Sequence, residues 1–309
     1  MGRYALVFPG QGSQTVGMGR TVWEESPAAQ DVFGKADVAL GRKISSVCFE
    51  GPDEELKRTE NTQPAMVTTE LAILAALREA MPDAPAPAYV AGHSLGEYAA
   101  LAAAGVLAVE DAVRLVERRG CLMGAAAEKH PGTMAAIIAL PTPEVAAVCE
   151  EAGAYVANDN CPGQVVVSGS ADAVSRAGKL AQERGAKYVF PLKVSGAFHS
   201  PLMQDAANGL RESVSAANIS DCRVPLVANS TAQVVTSSPE VRQELVQQLC
   251  HPVRWTESVR LMADAGVDTF VEVGPGTVLA GLIKRICPDA RMVSIQDMEG
   301  VTRLSKEGL

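Results

Sequence analysis

The chain has 309 residues, of which 47% are hydrophobic and 20% charged, and a formal net charge of −9. That length exceeds one typical domain, yet it suits a single large core carrying an inserted or appended smaller unit. The negative balance argues against a general nucleic-acid binder, which needs concentrated Lys and Arg to neutralise phosphates.

The opening residues through Phe8 read as a short buried strand, too brief for the apolar core of a signal peptide. Leu6 stands where a myristoylation motif wants Ser or Thr. The apolar stretch Leu71–Ala80 is interrupted by Arg78 and Glu79, so no transmembrane span is expected. A glycine-rich turn follows the first strand at Gly10-Gln11-Gly12-Ser13-Gln14. Val67–Glu79 has helical apolar spacing, and Pro82–Pro87 is a proline-rich connection. Ala88–Gly92 reads as a central strand running into a helix over Gly96–Ala104. Near the end, the strand Thr269–Val273 is closed by Gly274-Pro275-Gly276 and followed by a helix over Val278–Ile286. Repeated strand–turn–helix units predict an α/β fold, with a mostly parallel sheet in a large hydrolase-like domain.

The middle third differs. Strand Thr133–Leu140, helix Pro143–Ala152, strands Ala154–Ala157 and Gln164–Ser168, helix Ala171–Arg184 and strand Ala186–Lys193 follow in order. This βαββαβ sequence predicts a small ferredoxin-like subdomain over 131–197, inserted into a large catalytic domain of 1–130 and 198–309. Glu299–Leu309 carries little pattern and reads as a loose end. The seven cysteines (Cys48, Cys121, Cys149, Cys161, Cys222, Cys250, Cys287) form no CxxC pair. Reduced thiols in a cytoplasmic protein are expected, and the four histidines add no ligand-spaced cluster, so no metal is implied.

The sharpest local signal is Gly92-His93-Ser94-Leu95-Gly96. It has the G-x-S-x-G pattern in the required setting, an apolar strand before and a helix after. Such a corner presents the serine hydroxyl near a helix N-terminus, and it places the Leu95 N–H to bind an oxyanion. A serine nucleophile needs a base. His93 adjoins the serine and suits a packing or turn role; His130 sits in a polar loop; His251 precedes a proline. His199 follows the inserted unit among small residues, so it leads, with His251 second.

Together, several segments resemble the malonyl-CoA:acyl carrier protein transacylase family of the stand-alone bacterial type. They are Phe8–Gln14, Asn61–Ala65, Gly92–Glu97, Arg118-Arg119-Gly120, Asn158–Gln164, Gly196–Ser200, Gln248–Trp255 and Glu272–Gly276. The resemblance implies that Ser94 is the acylated nucleophile and His199 its base, with Gln11 and the Leu95 N–H as oxyanion hole. It makes Arg119 the partner of the malonyl carboxylate. It gives the Gln248 backbone carbonyl the orientation of the histidine, so that no triad carboxylate is required. Phe198 resembles the malonyl-selective form of its motif, and an aromatic there would crowd an α-methyl group. Gln63, His93 and Asn160 are further candidate pocket residues. Cys161 departs from the family, which often has Ser.

The implied activity is ping-pong transfer of malonyl from coenzyme A to the phosphopantetheine thiol of acyl carrier protein, feeding fatty acid synthesis. The coenzyme A thioester is substrate, and no permanently bound cofactor or membrane is implied. The family is usually monomeric. Residues 171–193 carry a basic excess through Arg176, Lys179, Arg184, Lys187 and Lys193, a candidate docking patch for an acidic carrier protein or simply a solvated helix face. The alternatives are a stand-alone acyltransferase serving polyketide carriers, a serine esterase or thioesterase with the same elbow, and a catalytically silent carrier-binding subunit.

Overall fold

The computed structural model describes residues 2–194 and 196–309; Met1, in the opening segment, and Ser195, just before Gly196, lie outside the described residues. Among the described residues ten strands form two sheets. The larger comprises β1 (Arg3–Phe8), β2 (Tyr89–Gly92), β7 (Leu226–Val227), β8 (Val234–Val235), β9 (Val267–Val273) and β10 (Arg291–Ile295), in spatial order β10-β9-β1-β2-β7-β8. Five of these run parallel, and only β8 pairs antiparallel, at the edge. β1 explains why a parallel strand reads as an unbroken apolar run. Tyr4, Leu6 and Phe8 enter one core cluster while Ala5 and Val7 enter another, so both faces are covered.

The smaller sheet comprises β3 (Thr133–Ile138), β4 (Tyr155–Cys161), β5 (Gln164–Gly169) and β6 (Tyr188–Pro191), antiparallel throughout and ordered β4-β5-β3-β6. With helices Thr142–Ala152 and Ala171–Glu183 it forms the expected βαββαβ unit. Both helices pack on the face that carries Ala135, Ile137, Val165 and Val167. The opposite face, with Met134 and Val166, turns toward the large sheet's core. β4 is stitched to the segment ahead of helix Trp255–Asp264, outside both sheets: the Val253 N–H donates to the Ala157 carbonyl and the Asp159 N–H donates to the Val253 carbonyl, both at 2.9 Å.

Three local expectations change. Glu299–Leu309 is not a loose end, because helix Met298–Glu307 is capped by Asp297 and buries Val301 and Leu304. The Asn158–Gly163 connection is mostly strand, since β4 runs on through Cys161 with two register shifts against β5. The helix expected from Val67 begins at Thr59 and contains Pro64. Proline cannot donate to the carbonyl four residues back, and that Glu60 carbonyl accepts from Arg42 Nη2 at 3.3 Å instead.

Candidate active site

Strands β1, β2 and β9 end together, and the loops after their carboxyl ends converge, which is where open α/β sheets hold ligands. Gly92 and Gly96 explain how the turn after β2 can be so sharp. A Cβ on Gly92 would lie 2.0 Å from the Gly96 carbonyl carbon, and one on Gly96 would lie 2.1 Å from the Phe8 oxygen. Between them Ser94 adopts φ 51°, a left-handed conformation that is costly for a residue with a Cβ. His199 does the same at φ 55°. Two strained non-glycine residues therefore face each other, and Ser94 Oγ lies 2.8 Å from His199 Nε2.

The far side of the His199 ring fixes its tautomer. Nδ1 lies 2.9 Å from the Gln248 carbonyl oxygen and 3.2 Å from that of His251. Both are acceptors, so Nδ1 carries the proton and Nε2 presents its lone pair to the serine. Burial, then the neighbouring Arg119 charge, push the imidazole down to about 3. His251 contributes its backbone rather than its ring, which is exposed and bonded to the Gln247 carbonyl. His130 is exposed at a helix end beside Asp205.

Arg119 projects from helix Val109–Lys129 and is 1% exposed, which separates it from the solvated Arg118 alongside. Its Nη1 donates to Gln63 Oε1 at 2.9 Å; its Nη2 donates to Gln248 Oε1 at 3.0 Å and to Ser94 Oγ at 3.1 Å. The guanidinium lies over the Tyr98 ring at 5.7 Å. Among the described residues no carboxylate pairs with it directly.

A cavity of about 300 Å³ opens at this point, lined by Gly10, Gln11, His93, Ser94, Asn160, Phe198 and His199 among others. Met134, Gln164 and Val166 of the small sheet form its opposite wall. The His93 ring turns away from the serine hydroxyl: Nε2 meets Asn160 Oδ1 at 2.8 Å and the ring packs edge-on against Trp255. Gln11 lines the cavity beside Gly10, and among the described residues the Leu95 N–H meets no acceptor.

Asn229 was not signalled by any motif. It holds the elbow from the neighbouring strand end, accepting from the Ser94 N–H at 2.7 Å and donating to the Gly92 carbonyl at 2.7 Å. Its backbone N–H and Nδ2 also reach Glu97 Oε1, each at 2.9 Å. Within the basic stretch, Arg176 donates to the Ala152 carbonyl and Arg184 pairs with Glu144 and Glu151. Arg176 and Lys179 belong to the helix behind the small sheet, away from the cavity face, whereas Lys187 immediately precedes the edge strand β6.

Among the described residues no group of three or more His, Cys, Asp and Glu is placed to hold a metal ion, and no helix is long and apolar enough to cross a membrane.

The acyl transferase domain family matches residues 5–306. The Malonyl CoA-acyl carrier protein transacylase of Bacillus subtilis (strain 168) is 44% identical over 306 residues, spanning 97% of this chain and 96% of that protein. That of Escherichia coli (strain K12) is 45% identical over 290 residues, 93% of each. The crystal structure of an acyl carrier protein S-malonyltransferase from Vibrio cholerae superposes with a TM-score of 0.94 at 39% identity, covering 98% of this chain and 99% of that one. A malonyl-transacylase solved in complex with a type II PKS acyl-carrier protein gives 0.94 at 38%, covering 99% and 100%. With near-complete coverage by both sequence and fold, this chain belongs to the malonyl-CoA:acyl carrier protein transacylase family.

Proposed function

We propose that Ser94 is the nucleophile and His199 the base of a ping-pong transfer of malonyl from malonyl-CoA to the phosphopantetheine thiol of acyl carrier protein. The activity is that of the family to which the chain belongs, in fatty acid synthesis. The observation that carries the residue assignment is the convergence on one atom: Ser94 Oγ lies within hydrogen-bond reach of both His199 Nε2 and Arg119 Nη2.

The chemistry follows from that geometry. Ser94 Oγ attacks the thioester carbonyl as its proton passes to His199 Nε2. The imidazolium formed is held by the Gln248 carbonyl on Nδ1, a dipole in place of a carboxylate. The Leu95 N–H and Gln11 stabilise the oxyanion. Its collapse breaks the C–S bond, and the proton returns from His199 to the departing coenzyme A thiolate. The carrier's thiol then attacks the malonyl ester by the reverse route. Arg119 receives the malonyl carboxylate, whose two oxygens match a planar fork, and this draws Nη2 away from Ser94 Oγ. An acetyl group would leave the buried guanidinium unpaired. Phe198, which is 4% exposed and lines the cavity, crowds an α-methyl branch.

The remaining assignments are part of the same proposal. Gln63 braces Arg119, while His93 and Asn160 shape the cavity wall. Residues 131–197 act as a small subdomain between the two parts of the catalytic domain. The protein works as a cytoplasmic monomer without a bound cofactor. Its carrier docks through Lys179 and Lys187, together with Arg176 and Arg184.

Intact-mass measurement after brief mixing with malonyl-CoA tests the core of this reading. Wild type gains a malonyl adduct that carrier protein discharges, Ser94→Ala gains none, and Arg119→Ala loses the preference over acetyl-CoA. Free malonate without any adduct would point to a hydrolase instead.

A further inference from the structure

Arg119 is a buried cation, yet its nearest buried anion does not touch it. Glu97 lies in the first turn of helix Gly96–Ala103 and is fully buried. Between the two stands the side chain of Gln248. Its Oε1 accepts from Arg119 Nη2 at 3.0 Å, and its Nε2 donates to Glu97 Oε2 and, at 2.9 Å, to the Ser94 carbonyl.

The donor inventory gives this bridge a direction. An amide presents an acceptor at one end and donors at the other. Arg119 has only donors to offer, so it demands the oxygen. Glu97 receives three N–H groups: the Asn229 backbone and Nδ2 at Oε1, and Gln248 Nε2 at Oε2. Burial and the nearby Glu244 raise the Glu97 carboxyl above the usual range, and the hydrogen bonds from Asn229 and Gln248 oppose that rise. All three are donors, so a proton on Glu97 would find no acceptor among them. The carboxylate form therefore suits the site, and it holds the Gln248 amide with its oxygen toward the guanidinium.

We propose that Glu97, acting through the side-chain amide of Gln248, is the positioning residue that aims Arg119 at the acyl group and so sets the preference for a carboxylate-bearing substrate. The inference rests on the malonyl-transfer reading of the Ser94 site and adds to it. Gln248 has two separate duties: its backbone carbonyl serves His199, and its side chain serves Arg119. Had Glu97 reached Arg119 directly, a closed ion pair would hold the fork. The inserted amide supplies the compensating charge at one remove and leaves the fork open to a ligand.

The test is kcat/KM for malonyl-CoA and acetyl-CoA, with carrier protein as acceptor, in wild type, Glu97→Gln, Gln248→Met and the double variant. Glu97→Gln sets one NH2 against another and loosens Arg119. Gln248→Met removes the bridge and keeps the backbone carbonyl that His199 uses. Each single change is expected to lower the malonyl-to-acetyl ratio about tenfold or more, the factor for one lost hydrogen bond to a charge. The double variant is expected to fall no further, because both changes break the same chain. An equal loss on both substrates, or a ratio that falls multiplicatively in the double variant, overturns the proposal. If Glu97→Gln does not fold, Gln248→Met decides alone, and an unchanged ratio overturns it. A wild type that takes up no malonyl group overturns the reading of Ser94 itself. One that takes it up while Gln248→Met keeps the ratio overturns this inference only.

Discussion

His199 carries a buried, neutral imidazole whose tautomer is set by two carbonyl oxygens, and its pH behaviour follows from that setting. With its titration pushed down to about 3 by burial and by Arg119, kcat/KM for malonyl-CoA should show no histidine step near neutrality, staying flat from about pH 8 to about pH 5. Stability behaves differently. The unfolded imidazole titrates near about 6.5, so between there and about 3 the unfolded chain binds the extra proton. Stability is therefore lost as pH falls through that window. His199→Asn should flatten this acid limb in urea melts taken from pH 7 to pH 4; an unchanged slope would mean that other groups dominate it. At this scale much of the site was legible in advance. Ser94, His199, Arg119 and the Gln248 carbonyl all lie in segments with a recognisable pattern, and they meet in space. Asn229 was not legible, because Val227-Ala228-Asn229-Ser230 has no local signature and its contacts reach 135 residues back to Ser94. Glu97 stood inside a recognised segment, but only burial separates it from an ordinary helix-start carboxylate.

At the scale of elements, the elbow depends on backbone contacts closer than any side chain allows. Gly92→Ala or Gly96→Ala should each destabilise the fold by about 3 kcal/mol or more, since the obstructing atoms are main chain and cannot yield. A shift in denaturation midpoint below that of an ordinary surface Gly→Ala change would refute the steric account. The helix Met298–Glu307 makes a second case. Leu304→Ala, at a fully buried position, should cost about 2–5 kcal/mol, whereas a frayed tail would register almost nothing. That helix escaped the sequence because only Gly300, Val301 and Leu304 among its ten residues are buried. Its signal is one narrow apolar stripe, Met298, Val301 and Leu304 at i, i+3 and i+6, under a polar majority. Strands β7 and β8, at two residues each, fall below any periodicity. By contrast the βαββαβ order was plain, because each apolar run there is bounded by glycine, proline or a helix cap.

Across the whole molecule, a net charge of −9 makes the proposed docking of an acidic carrier depend on a local exception to that charge. Arg176 and Arg184 are engaged with Ala152, Glu144 and Glu151, which leaves Lys179 and Lys187 as the more available cations of the proposed patch. Lys187→Glu should raise KM for carrier protein several-fold at low salt and leave KM for malonyl-CoA unchanged. The gap should close as salt screens the contact. Salt-independent kinetics identical to wild type would place docking elsewhere.

The stitch between β4 and Val253 bears on how ligands come and go. Its two main-chain hydrogen bonds tie the small sheet to the segment that also supplies the His251 carbonyl to His199. A hinge opening wide enough to admit substrate would tear those bonds and misalign His199 with them. Traffic through the cleft should therefore proceed by threading a flexible pantetheine arm into a standing corridor. In hydrogen exchange, the Asp159 and Val253 amides should be as slow as those of β1, with or without malonyl-CoA.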